Sequence, residues 1–243
     1  PEIWAHFAED LDLKKKNITY GIFVQGFFHM QSTDNFDKLK NSYKNARLIL
    51  SDSEYGIKCL KQMFPKFRKK IIRVHFSINE KKFKIKSKKN LITYMPRKLP
   101  NHSNLLFFYL KNLMPKNWKI LPLKNVSENY LINNLAKSKI FLSFSNLEGI
   151  GIPPIEAALS GNKVVGYVGG GGIEYWKGSM FNKVEHGEIA DFGQKILKEI
   201  NTYNSSWIRK TQKDRKNLAK QYSKELEKKS LKKLTKKVRE ILY

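Results

Sequence analysis

The hydrophobic residues of this chain follow two rhythms. Short runs rich in β-branched and aromatic side chains recur at residues 17–28 (with ITYGIFVQGFF inside), 47–50, 71–76, 91–95, 118–121, 140–144 and 163–168. Runs of that length, bounded by polar residues, glycine or proline, predict buried strands. Between them, apolar residues spaced three and four apart predict helices that bury one face. A helix is predicted over 127–135; Ser51 or Ser53 can cap one through Phe64, and Asn101 or Ser103 one through Leu113. Their side-chain oxygens can accept hydrogen bonds from N–H groups of the first turn. A further helix is predicted over about 188–200; residues 1–11 read as the end of a strand-loop entering a helix, and the segment 79–83 follows the strand at 71–76. Alternating strands and helices predict an α/β fold with parallel sheets.

The most informative stretch is residues 140–176. A strand-like run at 140–144 passes into a turn carrying Glu148, Gly149 and Gly151. Pro153 and Pro154 can open a helix, since the first turn has N–H groups with no partner inside the helix. Gly161 ends that helix, a second strand follows at 163–168, and Gly169 to Gly172 form a loop. Strand, glycine turn, helix, strand, glycine loop is the layout of a nucleotide-binding α/β domain, which takes ligands at the carboxyl ends of its strands.

Composition narrows the picture less. The chain has 243 residues, 41% of them hydrophobic, enough for one large or two small domains with real cores. No apolar run approaches the roughly 20 residues needed to cross a bilayer, and no signal peptide opens the sequence as given. Cys59 is the only cysteine, which excludes an internal disulfide and a cysteine zinc cluster and suits a reducing compartment. The expectation is a cytoplasmic chain, with peripheral contact at the inner face of the membrane as its extension. Lys and Arg number 47 against 21 Asp and Glu, a net charge of +26. That charge draws nucleic acid, anionic lipid and phosphorylated substrates through one Coulomb term, so it does not choose among them and implies no specific nucleic acid. The lysine-rich stretch 81–90 is the best linker candidate. Residues 205–243 carry apolar positions on a lysine background, predicting one or two amphipathic helices whose basic face either sits in water or rests on anionic lipid.

The stretch Glu148-Gly-Ile-Gly-Ile-Pro-Pro-Ile-Glu156, with Ala157, Ala158, Gly161, Val164 and Val165, then Gly171, Gly172 and Glu174, resembles the Glu-(seven residues)-Glu region of GT-B-fold retaining glycosyltransferases of family 4. The resemblance implies two Rossmann-like domains with a cleft. Residues 1–87 would form a partial, acceptor-side amino-terminal domain whose front is missing. Residues 88–204 would bind the nucleotide sugar, and 205–243 would be the basic helices. A truncated amino-terminal domain would leave the acceptor half incomplete, so this fragment is expected to bind donor and to be at risk of inactivity.

By that resemblance Glu156 accepts hydrogen bonds from a ribose diol, a task that suits a carboxylate with two oxygens. Glu148 contacts hydroxyls of the transferred sugar. Gly149 and Gly151 leave room for the ligand to approach the backbone. Arg97, after the strand at 91–95, neutralises the diphosphate leaving group. The family places a lysine in a Lys-Gly pair shortly after that arginine. Here Pro100, Asn101 and His102 occupy the neighbourhood, and Lys98 is the nearest substitute. Gly171 and Gly172 can cup phosphate or sugar through backbone N–H groups, with Glu174 as a ligand contact or a helix cap. His29, after the run at 17–28, is a candidate acceptor or donor contact. The acceptor would be a saccharide or a lipid-linked saccharide, and no cofactor or metal is expected, because no Asp-x-Asp stands out in the motif region to hold a metal for a diphosphate.

Other motifs fail: there is no Gly-x-Gly-x-x-Gly after a strand, no P-loop, no His-Glu-x-x-His and no Gly-x-Ser-x-Gly. Two other classes stay open. Glu148 and Glu156 could be a glycosidase carboxylate pair, which requires about 5 to 9.5 Å between them. The charge alone would suit a non-enzymatic polyanion binder.

Overall fold

The computed structural model describes residues 5–32 and 35–242, so residues 1–4 of the predicted helix entry lie outside it. The chain forms two compact units: Pro1–Ser77 with Leu147–Ile150 and Tyr222–Tyr243, and Ile78–Asn146 with Gly151–Gln221.

The first unit starts with a single helical turn, α1 (Phe7–Asp10), and carries a parallel three-stranded sheet of β1 (Gly21–Val24), β2 (Leu48–Ser51) and β3 (Ile71–Arg73), in that order. The crossovers are α2 (Phe36–Asn45) and α3 (Glu54–Met63). Both start on side-chain caps: Asn35 accepts from the Lys38 N–H and Ser53 from the Gly56 N–H. Ile22, Val24, Leu39, Tyr43, Ile49 and Leu60 close the core between helices and sheet. The apolar run at 17–28 yields only four strand residues because the chain then coils into a 3-10 turn, Phe27–Ser32.

The second unit has a five-stranded sheet in the order β5-β4-β6-β7-β8. Its elements are β4 (Lys89–Tyr94), α4 (Pro100–Leu110), β5 (Lys119–Pro122), α5 (Glu128–Lys137), β6 (Ser138–Glu148), α6 (Ile152–Leu159), β7 (Lys163–Gly170), β8 (Phe181–Lys183), α7 (Ile189–Thr202), α8 (Ser206–Lys210) and α9 (Gln212–Gln221). β4 runs parallel to both β5 and β6, and β7 parallel to β8. Ile92, Leu142, Phe144, Val165 and Tyr167 of the strands pack with Leu106 and Leu110 of α4 and with Phe192 and Ile196 of α7.

The segment 79–83 holds a 3-10 turn, Glu80–Lys82. Two expectations change. The lysine-rich stretch read as a linker is strapped to α5: Phe83 is buried and the Lys86 N–H donates to the Ala136 carbonyl. The tail is three helices, α8, α9 and α10 (Lys224–Leu242), rather than one or two. The last of them belongs to the first unit, where Ser230 accepts from the His75 N–H at 3.1 Å and Glu227 accepts from the Ser77 hydroxyl at 2.7 Å.

A polar network closes the amino-terminal edge of the second sheet. The half-buried Lys88 ammonium donates to the carbonyls of Leu135, Ser138 and Ser160, so one side chain reaches the ends of two helices and the start of β6. Beside it, Asn162 accepts from the Ser138 hydroxyl and donates to the Leu135 and Ala157 carbonyls. Burial, with the nearby Arg215 guanidinium, pushes Lys88 down to about 7.

Candidate active site

In the second sheet the chain moves outward from β4 to β5, then crosses back over β4 to reach β6. The strand order therefore reverses between β4 and β6, and a crevice forms outside the carboxyl ends at such a reversal. The predicted cations leave one side of it. Arg97 is exposed and Lys98 half-exposed just beyond β4, and Leu99, in the left-handed region at φ 46°, turns the backbone into α4. The neighbouring strand, β6, runs through this unit to Asn146, and its last residue, Glu148, belongs to the first unit.

After that strand, Gly149 lies against the chain leaving β1 within the first unit: a Cβ there would sit 1.8 Å from the Gln25 carbonyl oxygen. Only glycine allows that approach. His29 belongs to the 3-10 turn that follows, its N–H donating to Gly26 at 2.8 Å. The turn of Glu148 and Gly149 and the segment of Gln25 and Gly26 that leads to His29 are thus neighbours in the first unit.

Gly151, at φ 77°, opens α6, and Pro153 and Pro154 fill its first turn as their missing N–H groups permit. Glu156 follows, half-buried. Burial raises its carboxyl above the usual range, the Glu128 carboxylate adds to the rise, and the Lys82 ammonium opposes it. Lys82 and Glu128 are themselves paired at 2.7 Å. β7 ends on Gly169 and Gly170, both with positive φ, and runs into a 3-10 turn, Gly171–Glu174, in which Gly171, Gly172 and Glu174 are buried. The Tyr175 hydroxyl donates to the Gly151 carbonyl at 2.6 Å and locks this glycine loop to the start of α6. Gly151, Gly171, Gly172 and Glu174, scattered over 24 residues of sequence, are brought together by that bond.

Several neighbours carried no sequence signal of function. Glu128 sits in the first turn of α5, and its influence on Glu156 arises because α5 packs beside α6. The indole N–H of Trp176 is buried without a hydrogen-bond partner among the described residues, and the ring lies 3.2 Å from where a Cβ on Gly172 would be. His102, in the first turn of α4, shares a 3.1 Å hydrogen bond with the Tyr167 hydroxyl and stands next to His186. Among the described residues no three or more His, Cys, Asp or Glu side chains gather into a group that could hold a metal ion, and no helix is long and apolar enough to cross a membrane.

Taken together, these elements define an α/β protein with two Rossmann-like units and the GT-B fold. Solved structures share it: Anabaena HepE in complex with UDP and glucose (TM-score 0.76, 10% identity, 96% of this chain and 76% of that one). A TarM variant from S. aureus, in complex with fondaparinux, alpha-GlcNAc-glycerol and UDP, matches at TM-score 0.70 and 16% identity over 91% of this chain. A glycosyltransferase from Rickettsia africae matches at TM-score 0.63 and 16% identity, over 98% of this chain and 81% of that one. This chain spans only 51% of the TarM chain. No protein-family model matches the sequence, and no curated protein matches it significantly.

Proposed function

We propose that this chain is a retaining, metal-independent glycosyltransferase of the family-4 type that draws on a nucleotide-sugar donor. One observation carries the reading: within the second unit the strand order reverses between β4 and β6, and the cations Arg97 and Lys98 follow β4 at that reversal. Cations at the mouth of such a crevice suit a sugar diphosphate. Glu156 takes the ribose diol, and Glu148 the hydroxyls of the transferred sugar. The backbone N–H groups around Gly149, Gly151, Gly171 and Gly172 approach the ligand directly, with Glu174 beside them.

Arg97, aided by Lys98, stabilises the negative charge that grows on the diphosphate as the glycosidic bond breaks, which is where an enzyme gains rate. No metal takes part in that neutralisation. The acceptor is a saccharide or a lipid-linked saccharide, with His29 of the first unit as the contact to test. UDP in the neighbouring TarM and HepE structures supports a uridine donor as the first to try.

The test is turnover. UDP-glucose and UDP-N-acetylglucosamine are incubated with saccharide acceptors in the presence of EDTA, and the anomeric proton of the product is read by NMR. An α-linked product from the α-linked donor, unaffected by EDTA and lost in Arg97→Ala, is the expected result. A β-linked product overturns retention, an EDTA-sensitive rate overturns metal independence, and sugar release without a nucleotide donor points to the glycosidase.

A further inference from the structure

The outward face of α4 in the second unit is not the face of a water-exposed helix. Leu106 and Leu110 are buried against the sheet at 0% and 1% exposure, and Tyr109 packs on Gly193 of α7. That accounts for the inward side. On the opposite side Phe108 is 76% exposed, the most of any large hydrophobic side chain among the described residues, and Leu105 is 55% exposed; Leu113, in the turn after the helix, is 53% exposed. A helix on the surface of a globular unit normally turns polar residues outward. Scattered apolar side chains are ordinary, but three on one helix and its exit form a patch.

Its rim is cationic. From Lys81 to Ser127 the sequence contains no Asp or Glu, and Lys111 and Lys116, in the chain that leaves the helix, are exposed. The acids nearest in the neighbouring α7 region are mostly engaged: Asp191 with Lys195, Glu199 with Lys163, and Glu185 with Lys183. The basic tail contrasts with this. On α10, Leu226, Leu234 and Val238 are half-buried, and the exposed side is lysine with one leucine, Leu231.

We propose that the outward face of α4 is the surface on which this chain rests on an anionic lipid bilayer. Phe108, Leu105 and Leu113 enter the headgroup–acyl boundary, and Lys111 and Lys116 meet lipid phosphates. The charge selects this occupant. A second copy of the chain would bring the same lysines face to face, and a nucleic acid would leave the leucines in water. The inference goes beyond the donor site and does not depend on it.

The test is co-sedimentation of the full chain with vesicles, either pure phosphatidylcholine or phosphatidylcholine with one-third phosphatidylglycerol, at about 0.15 M salt, where surface charge is largely screened beyond ~8 Å. The expected result is binding to the anionic vesicles only. Leu105→Ser with Phe108→Ser should weaken it about tenfold through lost apolar burial, and Lys111→Ala with Lys116→Ala should also weaken it. Lys232→Ala with Lys236→Ala on α10, an equal loss of charge, should weaken it less than the α4 lysine pair. All four side chains of the α4 variants are exposed, so melting temperatures should stay unchanged, and nucleotide binding should too. Absence of binding by the parent chain overturns the proposal. So does wild-type binding by the Leu105→Ser, Phe108→Ser variant, which would leave net charge as the cause. A parent dimer that this variant converts to monomer, without vesicle binding, would assign the patch to a second copy.

Discussion

At the scale of single residues, two titrating groups make the account testable by pH. Glu156 can accept two ribose hydroxyls only as a carboxylate. Burial and Glu128 raise its pKa above the usual 4.5, while Lys82 holds it down. Nucleotide affinity should therefore fall as pH drops through this raised value, earlier than for an ordinary glutamate. Glu128→Gln should move the fall to lower pH and Lys82→Ala to higher pH, as calorimetric titrations across the acid range would show. Identical profiles in both variants would contradict the assignment. Lys88 works in the other direction. Its folded value of about 7 lies below the ordinary 10.5, so between those values the unfolded chain holds the proton that the folded chain releases. Stability should rise with pH across that window, with a slope of at most about 1.4 kcal/mol per pH unit. Lys88→Met, which removes the ammonium from the Ser138 and Ser160 carbonyls while the Leu135 carbonyl keeps Asn162, should lower stability near neutral pH and flatten the rise; an unchanged slope in denaturant melts would exclude Lys88 as its source.

At the scale of elements, glycine positions set what the sheet tolerates. A Cβ on Gly166, whose φ is 136°, would lie 2.2 Å from the Ser143 carbonyl oxygen and 2.7 Å from Phe192. β6, β7 and α7 meet there, so Gly166→Ala should cost ~2–4 kcal/mol, combining overpacking with backbone strain. Denaturant melts would measure it, and a loss below about 0.5 kcal/mol, the usual scatter for surface changes, would contradict the packing described.

The same elements show what was legible in advance. Ser53 was readable as a cap because a hydroxyl before an amphipathic run has a local partner, and it accepts the predicted bond; Ser127, read as the first residue of its helix, instead caps it. Pro153 and Pro154 marked the start of α6 for an equally local reason. Asn101 and Ser103 misled: α4 starts at Pro100 without a side-chain cap, and Ser103 donates back to the Pro100 carbonyl. The run at 17–28 was hydrophobic enough for a long strand, yet the chain coils at Phe27. Glu128, Trp176 and His102 could not be read as neighbours of the site, since α5 beside α6, and α4 near Tyr167 and His186, are consequences of the fold.

At the scale of the whole molecule, the charge of +26 and the glycine-rich carboxyl edge make competing claims. A polyanion binder would take any phosphate by Coulomb attraction and lose it steeply with salt. A donor site holds one nucleotide through directed bonds. The most direct measurement is a calorimetric titration of the chain with UDP, GDP, ADP and CDP at near-physiological salt, repeated with Glu156→Ala and Arg97→Ala. Saturable binding of one nucleoside diphosphate is expected, weakened about tenfold or more in each variant, as loss of a charge-assisted hydrogen bond implies. Equal, salt-sensitive binding of all four that neither substitution changes would contradict it.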